Sequence, residues 1–163
     1  MQGVSDGPWY YEQVDLGFNY RMTELQAALG ISQLSRLDGF VEIRHKLAKR
    51  YLEKLCNLPL ALPDYSDQSY SGLHLFVIRL NLDKLELTRL EVFEMLREKG
   101  VGVNVHYIPV HTQPFYQSMG FKKGGFPNAE KYYSEAISLP MFHLMTENQQ
   151  DYVVEVLHDI LGQ

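Results

Sequence analysis

The sequence holds one cysteine, Cys56, and one tryptophan, Trp9, in 163 residues. A lone cysteine excludes an internal disulfide, so stability must come from a packed core. Cys56 closes an apolar helical stretch and is expected as a small core residue, and the scarcity of cysteine fits a cytoplasmic setting. Basic charge is also sparse. Fifteen Lys and Arg against 20 Asp and Glu leave a net charge of −5, which excludes general attraction to nucleic acid but permits a local phosphate site. No apolar run is long enough to cross a bilayer, and no repeat or low-complexity tract appears. The opening Met-Gln-Gly-Val-Ser-Asp-Gly lacks both a basic start and an apolar stretch, so no signal peptide is visible. What is present is a 45% hydrophobic chain with 11 Tyr and 8 Phe, enough for one core in a domain of ordinary size.

Residues 1–16 read as an extended aromatic segment in which Trp9, Tyr10 and Tyr11 follow Pro8. Such a cluster caps a core edge or lines a pocket built with another chain. A helix is predicted from Thr23 to about Leu37, because Thr23 with Gln26 makes a capping box and Leu25, Ala28 and Leu29 form a stripe. Asp38 is expected to cap a second helix from about Gly39 to Asn57. Ile43, Leu47, Ala48, Tyr51, Leu52 and Leu55 would be its inner face, and Lys46, Lys49, Arg50 and Lys54 its solvated face. Residues 58–71 read as a loop. His74–Leu80 reads as a central strand buried on both faces. Thr88 with Glu91 starts a helix to about Lys99 that Gly100 stops. Val101–Ile108 is expected as a strand with valines on alternate positions. A short helical turn follows at Pro114–Met119, then a turn at Lys122–Phe126, then a helix capped by Asn128. Ile137–Pro140 is a short strand, and Thr146 with Gln149 caps a last helix that buries Val153, Val154, Leu157, Ile160 and Leu161. The fold class is α/β of the α+β type: two N-terminal helices, then a three-stranded, mostly antiparallel sheet covered by helices.

The chemistry-bearing stretch is Gly17–Gly30. Asn19, Tyr20 and Arg21 stand just before the helix from Thr23, where backbone N–H groups lack partners and the dipole favours anions. Asn19 and Arg21 there suit either a phosphate or simple bonds to loop carbonyls. Ala27, Ala28 and Gly30 are small enough for another backbone to approach. Later in the chain, His106 and His111 flank Tyr107 and Pro109. No cysteine accompanies them, and the gap crosses a proline-containing loop, so no metal site is expected. They are either strand-end histidines bonded to backbone or contacts to a ligand.

Gly17-Phe-Asn-Tyr-Arg-Met-Thr-Glu-Leu-Gln-Ala-Ala-Leu-Gly30 resembles the signature of the pyridoxal-phosphate sugar aminotransferases of the DegT/DnrJ/EryC1/StrS family. Gly7–Gln13, Gly102–His111, Pro114–Tyr116 and Ala136–Phe142 extend the resemblance along nearly the whole chain. Gly7–Gln13 and Gly102–His111 most resemble the transaminases of pseudaminic acid synthesis, which make a UDP-linked 4-amino-4,6-dideoxy-N-acetyl-altrosamine. The resemblance implies the small C-terminal domain of a fold-type-I enzyme, with residues 1–22 as an aromatic lid or interdomain segment and 23–163 as the domain itself. It implies that Asn19, less firmly Arg21, reaches the cofactor phosphate of the partner subunit in a homodimer. Tyr107 and His111 become substrate contacts, with His106, Tyr116, Tyr10 and Tyr11 as further candidates. The amino group would pass, with glutamate as the expected donor, to C4 of a UDP-4-keto-6-deoxy sugar.

Pyridoxal phosphate chemistry needs a lysine for the Schiff base, an acid at the pyridine nitrogen and a phosphate cradle. None of the eight lysines, Lys46, Lys49, Lys54, Lys84, Lys99, Lys122, Lys123 and Lys131, stands in the family's lysine setting. The chain is therefore expected to be a C-terminal fragment, inactive alone and without bound cofactor, contributing no catalytic residue. The alternative is a non-catalytic interaction or ligand-binding domain.

Overall fold

The computed structural model describes residues 15–18, 20–65 and 70–162. The segment carrying Trp9, Tyr10 and Tyr11, and Asn19 itself, lie outside the described residues. The chain divides into two compact units, with the boundary after Leu37.

In the first unit, helix α1 spans Glu24–Leu34. Its start follows the predicted capping box: Thr23 Oγ1 accepts from the Gln26 N–H at 3.3 Å, and Gln26 Oε1 accepts from the Thr23 N–H at 2.9 Å. No residue of α1 is buried, and Leu25, Leu29, Ile31 and Leu34 are all exposed. A methyl built at Gly30 meets nothing within 4 Å, so its smallness answers no close approach among the described residues.

Helix α2 (Leu37–Leu55) begins at the boundary. The second unit continues with β1 (Leu60–Ala61), β2 (Phe76–Leu80), α3 (Arg89–Glu98), α4 (Pro114–Ser118), α5 (Pro127–Glu135), β3 (Ala136–Leu139) and α6 (Glu147–Leu161). The three strands form one sheet in the order β1-β2-β3, and both pairings are antiparallel. Strand β2 is central, with Ile78 opposite Ile137 and Leu80 opposite Leu60. Phe76, Ile78 and Leu80 point one way into a single core with Tyr51, Leu55, Val92, Leu96 and Leu157. The rings of Tyr51 and Phe76 lie 4.9 Å apart. Burying side chains of this size contributes roughly 1.5–3 kcal/mol each.

The three-stranded antiparallel sheet and its helical cover match expectation, but its membership differs. Val101–Ile108 is not a strand. The Val101 N–H bonds to Leu96 O at 2.9 Å, closing the α3 end around Gly100, and the Val103 N–H bonds to Val101 O at 3.0 Å. The Val105 N–H turns to its neighbour Asn104 Oδ1 at 2.8 Å. With those donors taken locally, the segment makes one bridge, Asn104 to Ser138. The third strand is instead β1, inside the stretch read as a loop. The central strand also starts late: Arg44 Nη1 donates to the carbonyls of Leu73 and His74 at 2.9 and 3.0 Å, so these do not join the sheet. It is buried on one face only, because Val77 and Arg79 are half-buried.

Smaller corrections have similar causes. Asp38 sits inside the first turn of α2, and burial begins only at Leu47, so Ile43 is exposed. Helix α2 stops at Leu55. Cys56 then falls in the following turn, exposed, while Leu55 and Leu58 take the core places. Arg50 is not a solvated charge: its Nη2 lies 2.7 Å from Asp151 Oδ2, and its side chain is 22% exposed. Helix α5 begins at Pro127, one residue before the expected cap Asn128, since proline suits a first helical position.

Candidate functional site

The site is built on strand β3. Its four residues, Ala136-Ile-Ser-Leu139, are all buried. Ser138 is fixed on both edges, opposite Val77 of β2 on one side and bridged to Asn104 on the other by N–H···O bonds of 2.8 and 3.3 Å. That bridge lays the extended chain beside β3 and delivers His106 next to the Ser138 side chain. His106 Nδ1 and Ser138 Oγ lie 2.7 Å apart. The ring of Tyr107 meets the His106 ring edge-on at 4.6 Å, and Tyr107 is 70% exposed.

Beyond Pro109 the chain tightens into a helical turn at Val110–Thr112, held by Thr112 Oγ1 donating to Pro109 O at 2.7 Å. This turn buries His111. Its Nε2 is 2.8 Å from Glu130 Oε1 on α5, and the same oxygen accepts from the Gly124 N–H at 2.6 Å. The bond from His111, aided by the backbone N–H groups of Gly124 and Phe126, holds the Glu130 carboxyl below its ordinary range. Phe126 packs on the His111 ring at 4.7 Å. With Tyr116 and Phe121, these side chains line an apolar cavity of about 380 Å³.

The structure therefore places four of the sequence-predicted residues within one continuous segment, in two groups. His106 and Tyr107 touch at the end of the Asn104 bridge, and His111 and Tyr116 share the apolar cavity. Arg21 belongs to the first unit and is exposed. Tyr10, Tyr11 and Asn19 lie outside the described residues. Two residues of this site escaped sequence reading. Glu130 was hidden because only the fold brings α5 to the His111 turn, and Ser138 because a serine in a short apolar strand reads as filler. A lone hydroxyl inside Ala-Ile-Ser-Leu was the available signal, since a buried hydroxyl costs free energy unless bonded.

A larger cleft of about 660 Å³ lies between Leu82–Leu90 and α5, with Arg89 stacked over the Tyr133 ring at 4.6 Å. None of the sequence-predicted site residues lines it. All eight lysines are exposed on helices and turns, so no described residue offers the buried amine that pyridoxal phosphate needs. The described residues by themselves do not fit that cofactor. Among them no three His, Cys, Asp or Glu side chains converge as a metal site, and no helix is long and apolar enough to cross a membrane.

The DegT/DnrJ/EryC1/StrS aminotransferase family model matches residues 1–158. The spore coat polysaccharide biosynthesis protein SpsC of Bacillus subtilis is 39% identical over 160 residues, which are 96% of this chain and 41% of SpsC. The structure of S. venezuelae DesV, in complex with a ketimine intermediate, aligns with a TM-score of 0.82 at 29% identity, covering 95% of this chain and 40% of DesV. Helicobacter pylori PseC, an aminotransferase involved in the biosynthesis of pseudoaminic acid, shares the fold with a TM-score of 0.85 at 23% identity, over 98% of this chain and 43% of PseC. The chain spans about two fifths of the length of these relatives. The chain belongs to the DegT/DnrJ/EryC1/StrS aminotransferase family, whose members are pyridoxal-phosphate-dependent transaminases.

Proposed function

We propose that this chain is the C-terminal part of a cytoplasmic, homodimeric nucleotide-sugar aminotransferase. The complete enzyme would transfer an amino group, with glutamate as donor, to C4 of a UDP-4-keto-6-deoxy sugar, as in pseudaminic acid synthesis. The observation that carries the reading is the family match over residues 1–158 of a chain whose eight lysines are all exposed. Family membership asks for a lysine-bearing site, and these residues do not supply it, so the rest of the site belongs to another part of a longer polypeptide.

In that reading, pyridoxal phosphate supplies the electron sink for amino transfer. This chain's residues bind and orient. Asn19 offers two uncharged amide donors to the cofactor phosphate of the neighbouring subunit, with Arg21 beside it. His106, Tyr107, Tyr116, Tyr10 and Tyr11 form the substrate side, and His111, buried against Glu130 and Phe126, supports the loop that carries the first three. The apolar side chains of α1 and of the 107–126 segment, exposed here, would be covered by the large domain or the second subunit.

The test has two parts. The genomic reading frame upstream of Met1 should encode a lysine-bearing large domain, and a stop codon immediately before Met1 would overturn the fragment reading. The isolated chain, mixed with stoichiometric pyridoxal phosphate, should give no borohydride-trapped adduct at a single lysine. The complete polypeptide should give one and should aminate a UDP-4-keto sugar.

A further inference from the structure

The two histidines of the site are held in opposite ways. His111 is 7% exposed, with its Nε2 engaged by Glu130 at 2.8 Å and its ring covered by Phe126. It ties the Lys122–Phe126 turn to the Val110–Thr112 turn through the shared Glu130–Gly124 contact. His106 is half-buried and is held through Nδ1 alone. Among the described residues none bonds to its Nε2, and that nitrogen is not a buried atom left without a partner.

We propose that His106 is the substrate-facing histidine of the site, that buried Ser138 is its positioning residue, and that His111 is a structural clamp. This rests on the sugar-nucleotide reading above and assigns roles within it. Ser138 is 4% exposed in a strand otherwise made of Ala136, Ile137 and Leu139. Packing there asks only for a small apolar side chain. A hydroxyl at that place needs a partner, and the partner it has is the His106 ring. Because the Ser138 N–H and C=O are both bonded to Asn104, and its strand pairs with β2 on the other edge, its Oγ is a fixed point. A 2.7 Å bond from that point, with the Tyr107 ring edge against the imidazole, sets the ring plane and aims Nε2 outward. A neutral imidazole presents one donor or one acceptor at Nε2, whichever the Ser138 bond leaves. A sugar hydroxyl satisfies either form, whereas a phosphate oxygen satisfies only the donor form. The sugar hydroxyls of the nucleotide sugar in the reading above meet either form of the ring, and the exposed Tyr107 phenol provides a second polar contact beside it.

One arm of the test uses the 163-residue chain. With ¹⁵N-labelled histidines at about pH 8.5, where free imidazoles are neutral, Ser138→Ala should change the tautomer balance of His106 and leave His111 unaltered. Ser138→Thr should restore the wild-type signals. Identical His106 signals in the alanine variant would overturn the positioning role. The second arm uses the complete dimeric aminotransferase. Ser138→Ala should raise KM for the sugar nucleotide about fivefold, as expected for one weakened hydrogen bond, with KM for the amino donor unchanged and threonine restoring it. His106→Asn, which keeps a group near Nδ1 but loses Nε2, should raise it at least as much while the fold is kept. An active wild type whose His106→Asn form has unaltered sugar-nucleotide KM would overturn the substrate role of His106. A complete wild-type polypeptide that does not transaminate would overturn the underlying reading instead, while the tautomer arm still judges the Ser138–His106 bond.

Discussion

Helices α1 and α6 begin in the same way and end up in opposite environments. Each starts at a threonine whose hydroxyl accepts from the third helical N–H, and each has a glutamine reaching back. Helix α6 buries seven of its 15 residues, whereas α1, of 11 residues, buries none. The capping box thus decides where a helix begins, because it satisfies N–H groups that have no partner inside the helix. It does not decide whether the apolar stripe finds a core. For α6 the sheet, α2 and α3 provide that core. For α1 nothing among the described residues does.

The sharpest way to break this contrast is to put a charge on each unit. Ile78 is fully buried in the central strand, and Leu25 is 85% exposed on α1. Ile78→Asp leaves an unpaired carboxylate in the core and is expected to cost about 4 kcal/mol, enough to unfold a marginally stable domain. Leu25→Asp should change stability by less than about 0.5 kcal/mol. Val77→Asp, on the half-buried face of the same strand, should fall between them. Urea unfolding followed by far-UV circular dichroism separates the three. Equal effects at residues 25 and 78 would mean that α1 is packed as firmly as the sheet.

A polar core residue gives the next effect. Gln150 of α6 is fully buried, donates to Leu47 O at 2.8 Å and accepts from Arg50 Nη1 at 3.3 Å. Gln150→Ala removes both bonds and leaves a void, for an expected loss of about 2 kcal/mol. An unchanged thermal midpoint would show that α2 and α6 hold together without this bridge.

The two capping boxes can then be compared directly. Thr146→Ala should lower stability by about 1 kcal/mol, the ordinary worth of an N-cap. Thr23→Ala removes the same hydroxyl acceptor from a helix that buries nothing, so the global unfolding midpoint should not move and only local helix content at residues 24–34 should fall. Amide hydrogen exchange resolves the two. A shift of the global midpoint by Thr23→Ala would couple the first unit to the main core.

What the sequence made legible follows the same division. Short-range patterns were readable: the Thr23, Thr88 and Thr146 caps, the stop at Gly100 with its positive φ of 75°, and the inner face of α6. Features decided by distant partners were not. Alternating valines at Val101 and Val103 look like a strand, but their N–H groups close a turn on Leu96 and Val101. Arg50 looks like a solvated charge until Asp151, a hundred residues later, faces it. At the site, Tyr107, His111, His106 and Tyr116 were read from the family resemblance of the segments that carry them. Glu130 and Ser138, which decide what the two histidines can do, come from elements the sequence places far away. Asn19 was read from its family motif and its position before a helix, a reading that falls outside the described residues.

The smallest expected effect concerns the charges that join α2 to α6. Asp151 lies 2.7 Å from Arg50 Nη2 and 2.6 Å from Lys54 Nζ. Hydrogen bonds from these two cations hold its pKa down, from 3.8 to about 2. The folded carboxyl therefore binds a proton less readily than the unfolded one. Where the unfolded state holds more protons, stability rises with pH. The contribution of Asp151 is thus fully present above about pH 4 and fades as the pH falls from there towards about 2. Asp151→Asn keeps the size and one acceptor but carries no charge to titrate. Near pH 7 the variant should be slightly less stable than the wild type, by less than the loss of the Thr146 cap, because the pair is partly open to solvent and screened. Below about pH 4 the two urea midpoints should converge, since other titrating carboxylates are common to both proteins and cancel in the difference. Raising salt to about 1 M at pH 7 should shrink the gap in the same direction. Midpoints of Asp151→Asn and wild type that run parallel from pH 7 to pH 2 would mean that the two cations do not hold Asp151 in solution, and that α2 and α6 are joined without this charge cluster.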